Sequence, residues 1–266
     1  RRGMHRFFLA SALPATGGAV DLSPLRHQLL RVLRARPGDR VLLLDGCGFE
    51  YVTELEAVDG RETTGRVLEK RRTTGEPRIH VTLWQCALKA DKMEWVLQKG
   101  TELGVSRFVP VISERTIVRP ASALVRKYER WRTIVREAAE QSGRGLLPEL
   151  AEPLAYADAV RQADGVRLLP WEGAGGAPGL SERFVRATGG AEGQTRIDLL
   201  VGPEGGLSAA EAQEAVAAGW GLTTLGPRTL RAETAALAAV AVVMALAGEM
   251  GPGAPQVVGG PTASQA

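Results

Sequence analysis

The sequence predicts an α/β protein: a mainly parallel sheet with helices on both faces, preceded by a small β-rich domain. Three observations predict it. From residue 79 onward, apolar strand-like runs alternate with amphipathic helical stretches, as in repeated β–α units. Before residue 75, short apolar/polar alternations lie between Gly/Asp turns, the pattern of a small barrel. Between the two, Arg71–Arg78 (RRTTGEPR) is polar, basic and carries Gly75 and Pro77, which marks a boundary. The expected division is residues 4–75, residues 79–249 and a disordered tail over 250–266 that holds no charge and no aromatic residue.

In the first domain, Leu25, Leu29, Val32 and Leu33 make a helical face over Leu25–Arg34. Arg36-Pro37-Gly38-Asp39 turns the chain into an apolar strand, Val41–Asp45, which ends at Gly46-Cys47-Gly48. Phe49–Val58 and Gly65–Arg71 alternate as half-buried strands do. In the second domain, Ile79–Ala87 reads as a strand and Asp91–Leu103 as a helix opened by an Asp91/Glu94 capping box. Arg107–Ile112 is a strand. Ser122–Gln141 is a long helix with Leu124, Tyr128, Trp131, Val135 and Ala138 on one face. Val166–Trp171 and Ile197–Val201 are strands, and Ser208–Ala218 is a helix with a Ser208/Glu211 capping box. Leu222–Leu225 is a short strand, and Thr234–Ala247 is a helix apolar all round, hence expected to be buried.

Composition narrows the function classes. The longest apolar run, Ala235–Ala247, is too short to span a bilayer, and the N-terminal residues show no secretory pattern. Two cysteines, Cys47 and Cys86, and three scattered histidines make neither a disulfide framework nor metal-ligand spacing, so a cytoplasmic protein without a metal is expected. Residues 1–78 hold 14 Lys+Arg against 10 Asp+Glu, and residues 107–144 hold 9 against 4. Two basic stretches on a chain of net charge +3 suggest a polyanion footprint, although a solvated face would look the same.

Two turns carry the chemistry. Val201-Gly202-Pro203-Glu204-Gly205-Gly206 follows an apolar strand and precedes a capped helix. Its glycines let backbone approach a ligand, and ligands in open parallel sheets sit at the carboxyl ends of strands. A tight connector without a ligand would use the same glycines. The second turn, Leu225-Gly226-Pro227-Arg228-Thr229-Leu230-Arg231-Ala232-Glu233-Thr234, also joins a strand to a helix. Thr234 as an N-cap and Glu233 at the positive helix end would account for two residues. They do not account for Arg228 and Arg231, whose cations are disfavoured there. The one approach to a dinucleotide fingerprint, at residues 173–178, has Pro178 where the third glycine belongs and is rejected.

"VGPEGGLS" followed by "LGPRTLRAETA" resembles the SPOUT methyltransferases, specifically the 16S rRNA uridine-N3 methyltransferase (RsmE) family. Arg6-Phe7-Phe8, Asp45-Gly46-Cys47-Gly48, Lys92, Gln98–Val105, Ser113-Glu114-Arg115, Glu140-Gln141-Ser142 and Arg144 match in order. Thr229 departs from the family's usual aliphatic residue. The resemblance implies a trefoil-knotted methyltransferase domain behind a PUA-like RNA-binding barrel, a homodimer, and the small ribosomal subunit as partner. It implies S-adenosylmethionine as methyl donor and no metal. By position the donor loops are Leu169-Pro170-Trp171-Glu172, Val201–Gly206, and Leu225 to Thr234 with Gly226 and Leu230. Arg6, Arg34, Arg115, Gln141 and Arg144 are the RNA-side candidates; for Glu102, Arg115, Gln141 and Arg144 a domain-joining role is the alternative.

Methylating uridine N3 requires loss of its proton, and the resulting anion spreads onto two carbonyl oxygens. Arg231 first and Arg228 second are the candidates to stabilise that charge. Glu233 or Glu204 could act as base only in surroundings that raise its proton affinity. Two readings stand beside this one: a SPOUT enzyme acting on another rRNA or tRNA position, and a non-catalytic ribosome-assembly factor.

Overall fold

The computed structural model describes residues 4–118, 121–189 and 195–251. The tail expected over 250–266 lies outside the described residues beyond its first two.

The N-terminal part is a five-stranded mixed sheet: β1 (Arg6–Phe8), β2 (Ala19–Asp21), β3 (Arg40–Leu44), β4 (Phe49–Val58) and β5 (Thr63–Arg72). The order is β1-β3-β4-β5-β2, with β1 parallel to β3 and every other pair antiparallel. Two register shifts interrupt the β4–β5 ladder, one with Leu68 of β5 as the extra residue and one with Glu56 of β4. One core of Leu22, Leu29, Leu43, Leu55 and Val67 fills the concave side. The sheet keeps two edges, so the expected barrel is a partly open one. The helix expected over Leu25–Arg34 is a 3-10 turn, Ser23–Leu25, followed by a wider π turn, Gln28–Val32. The wider turn buries Leu29 and swings Val32 out to 66% exposure, which breaks the face read from α-helical spacing.

The second part is an all-parallel sheet ordered β12-β10-β11-β6-β7-β8, with β9 also pairing β7. Its strands are β6 (His80–Cys86), β7 (Arg107–Ile112), β8 (Glu149–Leu150), β9 (Leu154–Ala155), β10 (Val166–Pro170), β11 (Arg196–Val201) and β12 (Gly221–Thr223). Residues alternate between two cores, as strand geometry dictates. Val81 and Leu83 join the larger core under α1 (Ala90–Glu102), α3 (Tyr128–Ser142), α5 (Leu180–Thr188) and α7 (Ala232–Leu246). Trp84 and Cys86 join the smaller core under α4 (Tyr156–Gln162) and α6 (Ala209–Ala217).

Helix starts depart from the sequence reading in informative ways. The Ser208/Glu211 capping box is present on α6, with both reciprocal bonds made. The Asp91/Glu94 box is not: α1 begins at Ala90 after Lys89, and Glu94 instead takes both donors of Arg130 at 2.6 and 2.7 Å. Thr234 does not cap α7; Arg231 occupies that position and Thr234 sits inside the first turn. The helix expected over Ser122–Gln141 breaks at Arg126-Lys127 into α2 (Ala121–Val125) and α3, but its expected apolar face is buried. Helix α7 is apolar all round yet only half buried. Ala236, Ala239, Val240, Val243 and Met244 face the core, while Thr234, Ala245 and Leu246 are exposed.

A set of polar contacts joins the two parts. Glu140 Oε1 accepts the Phe8 N–H at 2.9 Å, and the Gly48 N–H donates to the Gly145 carbonyl at 3.3 Å. Arg144 is 3% exposed and donates to Glu76, Thr101 O and Val105 O. Arg144 is therefore corrected from an RNA-side candidate to a buried joint, because its guanidinium is consumed within the chain. No described helix is long and apolar enough to cross a membrane.

Candidate active site

Three loops leave the carboxyl ends of neighbouring strands and meet around one cleft of about 310 Å³. Pro170, Trp171 and Glu172 follow β10. Val201, Gly202, Pro203, Glu204, Gly206 and Leu207 follow β11. Leu225, Gly226, Arg228, Thr229, Leu230 and Arg231 follow β12. The cleft's volume and its mixed apolar and charged lining suit a small cofactor.

Local hydrogen bonds fix these loops. Gln85 Nε2 donates to the Cys86 and Gly202 carbonyls at 3.0 and 3.4 Å, which ties the end of β6 to the start of the glycine turn. The Gly206 N–H closes that turn on the Pro203 carbonyl at 2.9 Å. Gly206 has φ +69°, a left-handed conformation that favours glycine; a Cβ there would also lie 2.5 Å from Glu172 Oε1, the movable end of an exposed side chain. Trp171 Nε1 donates to the Leu207 carbonyl at 3.3 Å and the Trp171 N–H to the Thr223 carbonyl at 3.1 Å, linking all three loops through one residue. Arg115 Nη1 reaches the Gly205 carbonyl at 3.0 Å from the loop after β7.

Charge is concentrated on one side. Lys92, in the first turn of α1, places Nζ 3.6 Å from Glu204 Oε1 and 3.7 Å from Glu233 Oε2. Glu204 Oε1 also accepts the Lys89 N–H at 3.2 Å. Glu204 Oε2 and Glu233 Oε2 are buried without a hydrogen-bond donor. Buried acceptors are ordinarily satisfied; Glu204 belongs to the cleft lining, so its free oxygen is the one a ligand's donor would meet, whereas Glu233 is not part of the lining. Arg228 and Arg231 line the same cleft and remain exposed at its rim.

Most residues assigned from the sequence are brought together here, and some are not. Leu169 is fully buried in the smaller core and does not line the cleft. Gly205 and Thr234 do not line the cleft, and Thr234 points to solvent. Glu233 reaches it through Lys92. Arg6 lies at the domain joint, 3.8 Å from Glu50, and Arg34 is exposed in a left-handed conformation with φ +53°. Gln141 lies in a shallow groove between α1 and α3 with Lys99 and Glu102, which pair with each other at 2.7 Å. Lys92 is the main site residue that sequence reasoning left unassigned. Its signal was weak, since a helix-start lysine acquires meaning only when residues 204 and 233 are brought beside it.

This fold and site define an RNA methyltransferase. The family model described as an RNA methyltransferase domain matches residues 75–244, and the one described as an RNA methyltransferase PUA domain matches residues 29–68. Ribosomal RNA small subunit methyltransferase E of Bacillus subtilis is 31% identical over 219 residues, covering 82% of this chain and 86% of that protein. The protein of the same name from Synechocystis is 36% identical, covering 83% of this chain and 70% of that protein. The structure of a ribosomal RNA small subunit methyltransferase E from Neisseria gonorrhoeae, bound to S-adenosyl methionine, is similar with a TM-score of 0.77 and 34% identity. It covers 92% of this chain and 98% of that one. The chain belongs to the ribosomal RNA small subunit methyltransferase E family.

Proposed function

We propose that this protein methylates N3 of one specific uridine in the 16S rRNA of the small ribosomal subunit, with S-adenosylmethionine as donor. The observation that carries the reading is the convergence of three strand-end loops on one cleft, with the Glu204 carboxylate in its lining and two arginines on the rim. The residues fit the donor. Its ammonium, hydroxyl and amine groups are hydrogen-bond donors of the kind Glu204 Oε2 lacks, and the apolar wall of Val201, Leu207, Leu225 and Ala235 suits its ring. Pro170, Trp171, Glu172, Gly202, Pro203, Gly206, Gly226 and Leu230 complete the binding set.

When bound, S-adenosylmethionine supplies a methyl group on a positively charged sulfur. The uridine must give up its N3 proton before N3 can take the methyl group; the deprotonated ring carries negative charge on N3 and its two carbonyl oxygens until the N–C bond forms and the S–C bond of the donor breaks, leaving a neutral thioether. Arg231, with Arg228 beside it, holds cations at the rim where such oxygens would enter, an electrostatic contribution strongest away from bulk water. Glu233, with Glu204 second, stays the candidate by position to hold the departing proton; both pair with Lys92, so that role requires Lys92 to leave them when the substrates bind.

On the RNA side, Arg115 is exposed and anchored on the glycine turn, so it would place rRNA phosphate beside the cleft. Arg6, Arg34 and Gln141 remain RNA-side candidates by position. The proposed domains are residues 4–75 and 79–249, and the proposed location is the cytoplasm. A trefoil knot is supported by chain order. Strand β12 pairs outside β10, whereas the helix that follows it returns to pack on α1 and β11. A homodimer is supported by the half-exposed apolar surface of α7. Ala241→Arg on that surface should shift the sedimenting species from dimer to monomer; a wild-type monomer would refute the assignment.

The decisive test incubates the protein and labelled S-adenosylmethionine with small subunits that lack the modification, with total tRNA as control. Mass spectrometry of nucleosides should show 3-methyluridine in 16S rRNA. Label in tRNA, or another methylated nucleoside, would overturn the substrate; donor binding with no label would overturn the activity.

A further inference from the structure

On the N-terminal sheet, Lys70 and Arg72 lie on the same side of β5, two residues apart, directly across from Tyr51 and Phe49 of β4. Lys70 Nζ stands 4.4 Å from the centre of the Phe49 ring and 5.1 Å from that of Tyr51, and the Arg72 guanidinium carbon 5.0 Å from that of Phe49. Both cations are exposed. Every nearby carboxylate is committed elsewhere. Asp45 accepts the Cys47 and Phe49 N–H groups and the Tyr51 hydroxyl. Glu50 pairs with Arg71 at 2.6 Å and with Arg6 at 3.8 Å, and Glu69 lies 3.9 Å from Arg71. Among the described residues, neither Lys70 nor Arg72 has an ion-pair partner. Two cations held in place by aromatic rings, with no ion pair of their own and only the more distant Asp45 carboxylate acting on Lys70, are pre-organised for an external anion. The Tyr51 hydroxyl beside Lys70 further favours its charged form.

The position of this pair adds a second argument. Phe49 follows Gly48, whose N–H donates to Gly145 of the methyltransferase part, and the Thr73 N–H donates to the Gly48 carbonyl. The cations therefore sit at the end of the β4–β5 hairpin that abuts the methyltransferase domain, while the hairpin's own turn, with Arg61, lies at the opposite end. A polyanion running from this surface would pass along the domain joint.

We propose that Lys70 and Arg72, mounted on Phe49 and Tyr51, form a phosphate-binding surface for the rRNA substrate, with the Arg72 guanidinium plane open to an unpaired base. The proposal deepens the rRNA methyltransferase reading and rests on it. It adds RNA contact at a hairpin end to the candidates Arg6 and Arg34.

The test compares wild type, the Lys70→Ala/Arg72→Ala double variant and an Arg61→Ala control for binding to unmodified small subunits over a range of salt. Loss of two phosphate contacts should lower the slope of log affinity against log salt by about 1.4–1.8, and weaken binding roughly 15- to 30-fold at about 0.15 M salt. S-adenosylmethionine affinity and thermal unfolding of the double variant should match wild type, and Arg61→Ala should leave affinity and slope unchanged. An unchanged slope in a folded double variant would overturn the proposal, as would an equal loss in Arg61→Ala. Wild-type protein that binds no subunits at any salt would overturn the underlying reading instead.

Discussion

The Arg144–Glu76 joint gives the most quantitative test of how this chain is held together. Arg144 is 3% exposed, and its Nη2 lies 2.9 Å from Glu76 Oε2. Its Nη1 donates to the carbonyls of Thr101 and Val105, at the end of α1, where a cation is favoured. Glu76 Oε1 in turn accepts the N–H groups of Gly145 and Leu146 at 2.8 and 2.9 Å. Arg144→Ala strands a largely buried carboxylate and removes the Arg144 donor from the Val105 carbonyl, while the Thr101 carbonyl keeps the Gly104 N–H at 3.1 Å. The lost carbonyl bond costs about 1 kcal/mol and the stranded charge more, so the expected loss is about 3–4 kcal/mol. For a chain of this size that is a fall in Tm of roughly 6–16 °C. Urea unfolding followed by circular dichroism measures it. A double-mutant cycle with Glu76→Gln should return a coupling of about 2 kcal/mol. A cost below about 1 kcal/mol, together with a loss of RNA affinity, would refute this reasoning and return Arg144 to the RNA side.

Further outcomes follow from other parts of the structure. Arg231→Ala should bind donor and RNA as wild type does yet methylate roughly 100- to 1,000-fold more slowly, measured in single turnover. A full rate would end its proposed role. Ser208→Ala removes a complete capping box and should cost about 1 kcal/mol in a denaturant titration, with Ser208→Asp retaining most of it. Burial pushes the Glu140 carboxyl up, against the opposing pull of the Phe8 N–H. A carboxyl raised in the folded state favours folding while protonated, and that contribution is lost as pH rises through its folded value. Glu140→Gln, which keeps an acceptor for Phe8, should therefore gain Tm relative to wild type between about pH 4 and about pH 8; a constant difference would refute the burial argument.

The sequence made some of this legible because the relevant physics is local. The two glycine turns and the Ser208/Glu211 box depend on a few adjacent residues, and each lies where expected. The apolar face of Leu124, Tyr128, Trp131, Val135 and Ala138 survives even though the helix breaks at Arg126-Lys127. What failed required knowledge of distant partners. Asp91 and Glu94 have capping-box spacing, but Arg130 claims Glu94 from another helix. The sequence left Arg144 between an RNA-side and a domain-joining role, and only Glu76 and the end of α1 closing around it decide for the joint. Lys92 carries no local mark of its place between Glu204 and Glu233. Strands β8 and β9, two residues each, are too short to leave a periodic trace.

The strand order also has a temporal side. The cleft takes its walls from loops after residues 170, 201 and 223 and its floor from Lys92, so its earliest and latest contributors are separated by well over a hundred residues of chain. As the polypeptide emerges, the five-stranded sheet can consolidate from contacts already synthesised, since folding units form in order of appearance. The cleft cannot: β10 must wait for β12 to arrive on its outer side before the Trp171–Thr223 bond exists. Newly made chains would thus pass through a stage with a finished amino-terminal domain and an unassembled catalytic half. Pulse-labelled nascent chains of increasing length should become protease-resistant in that sequence.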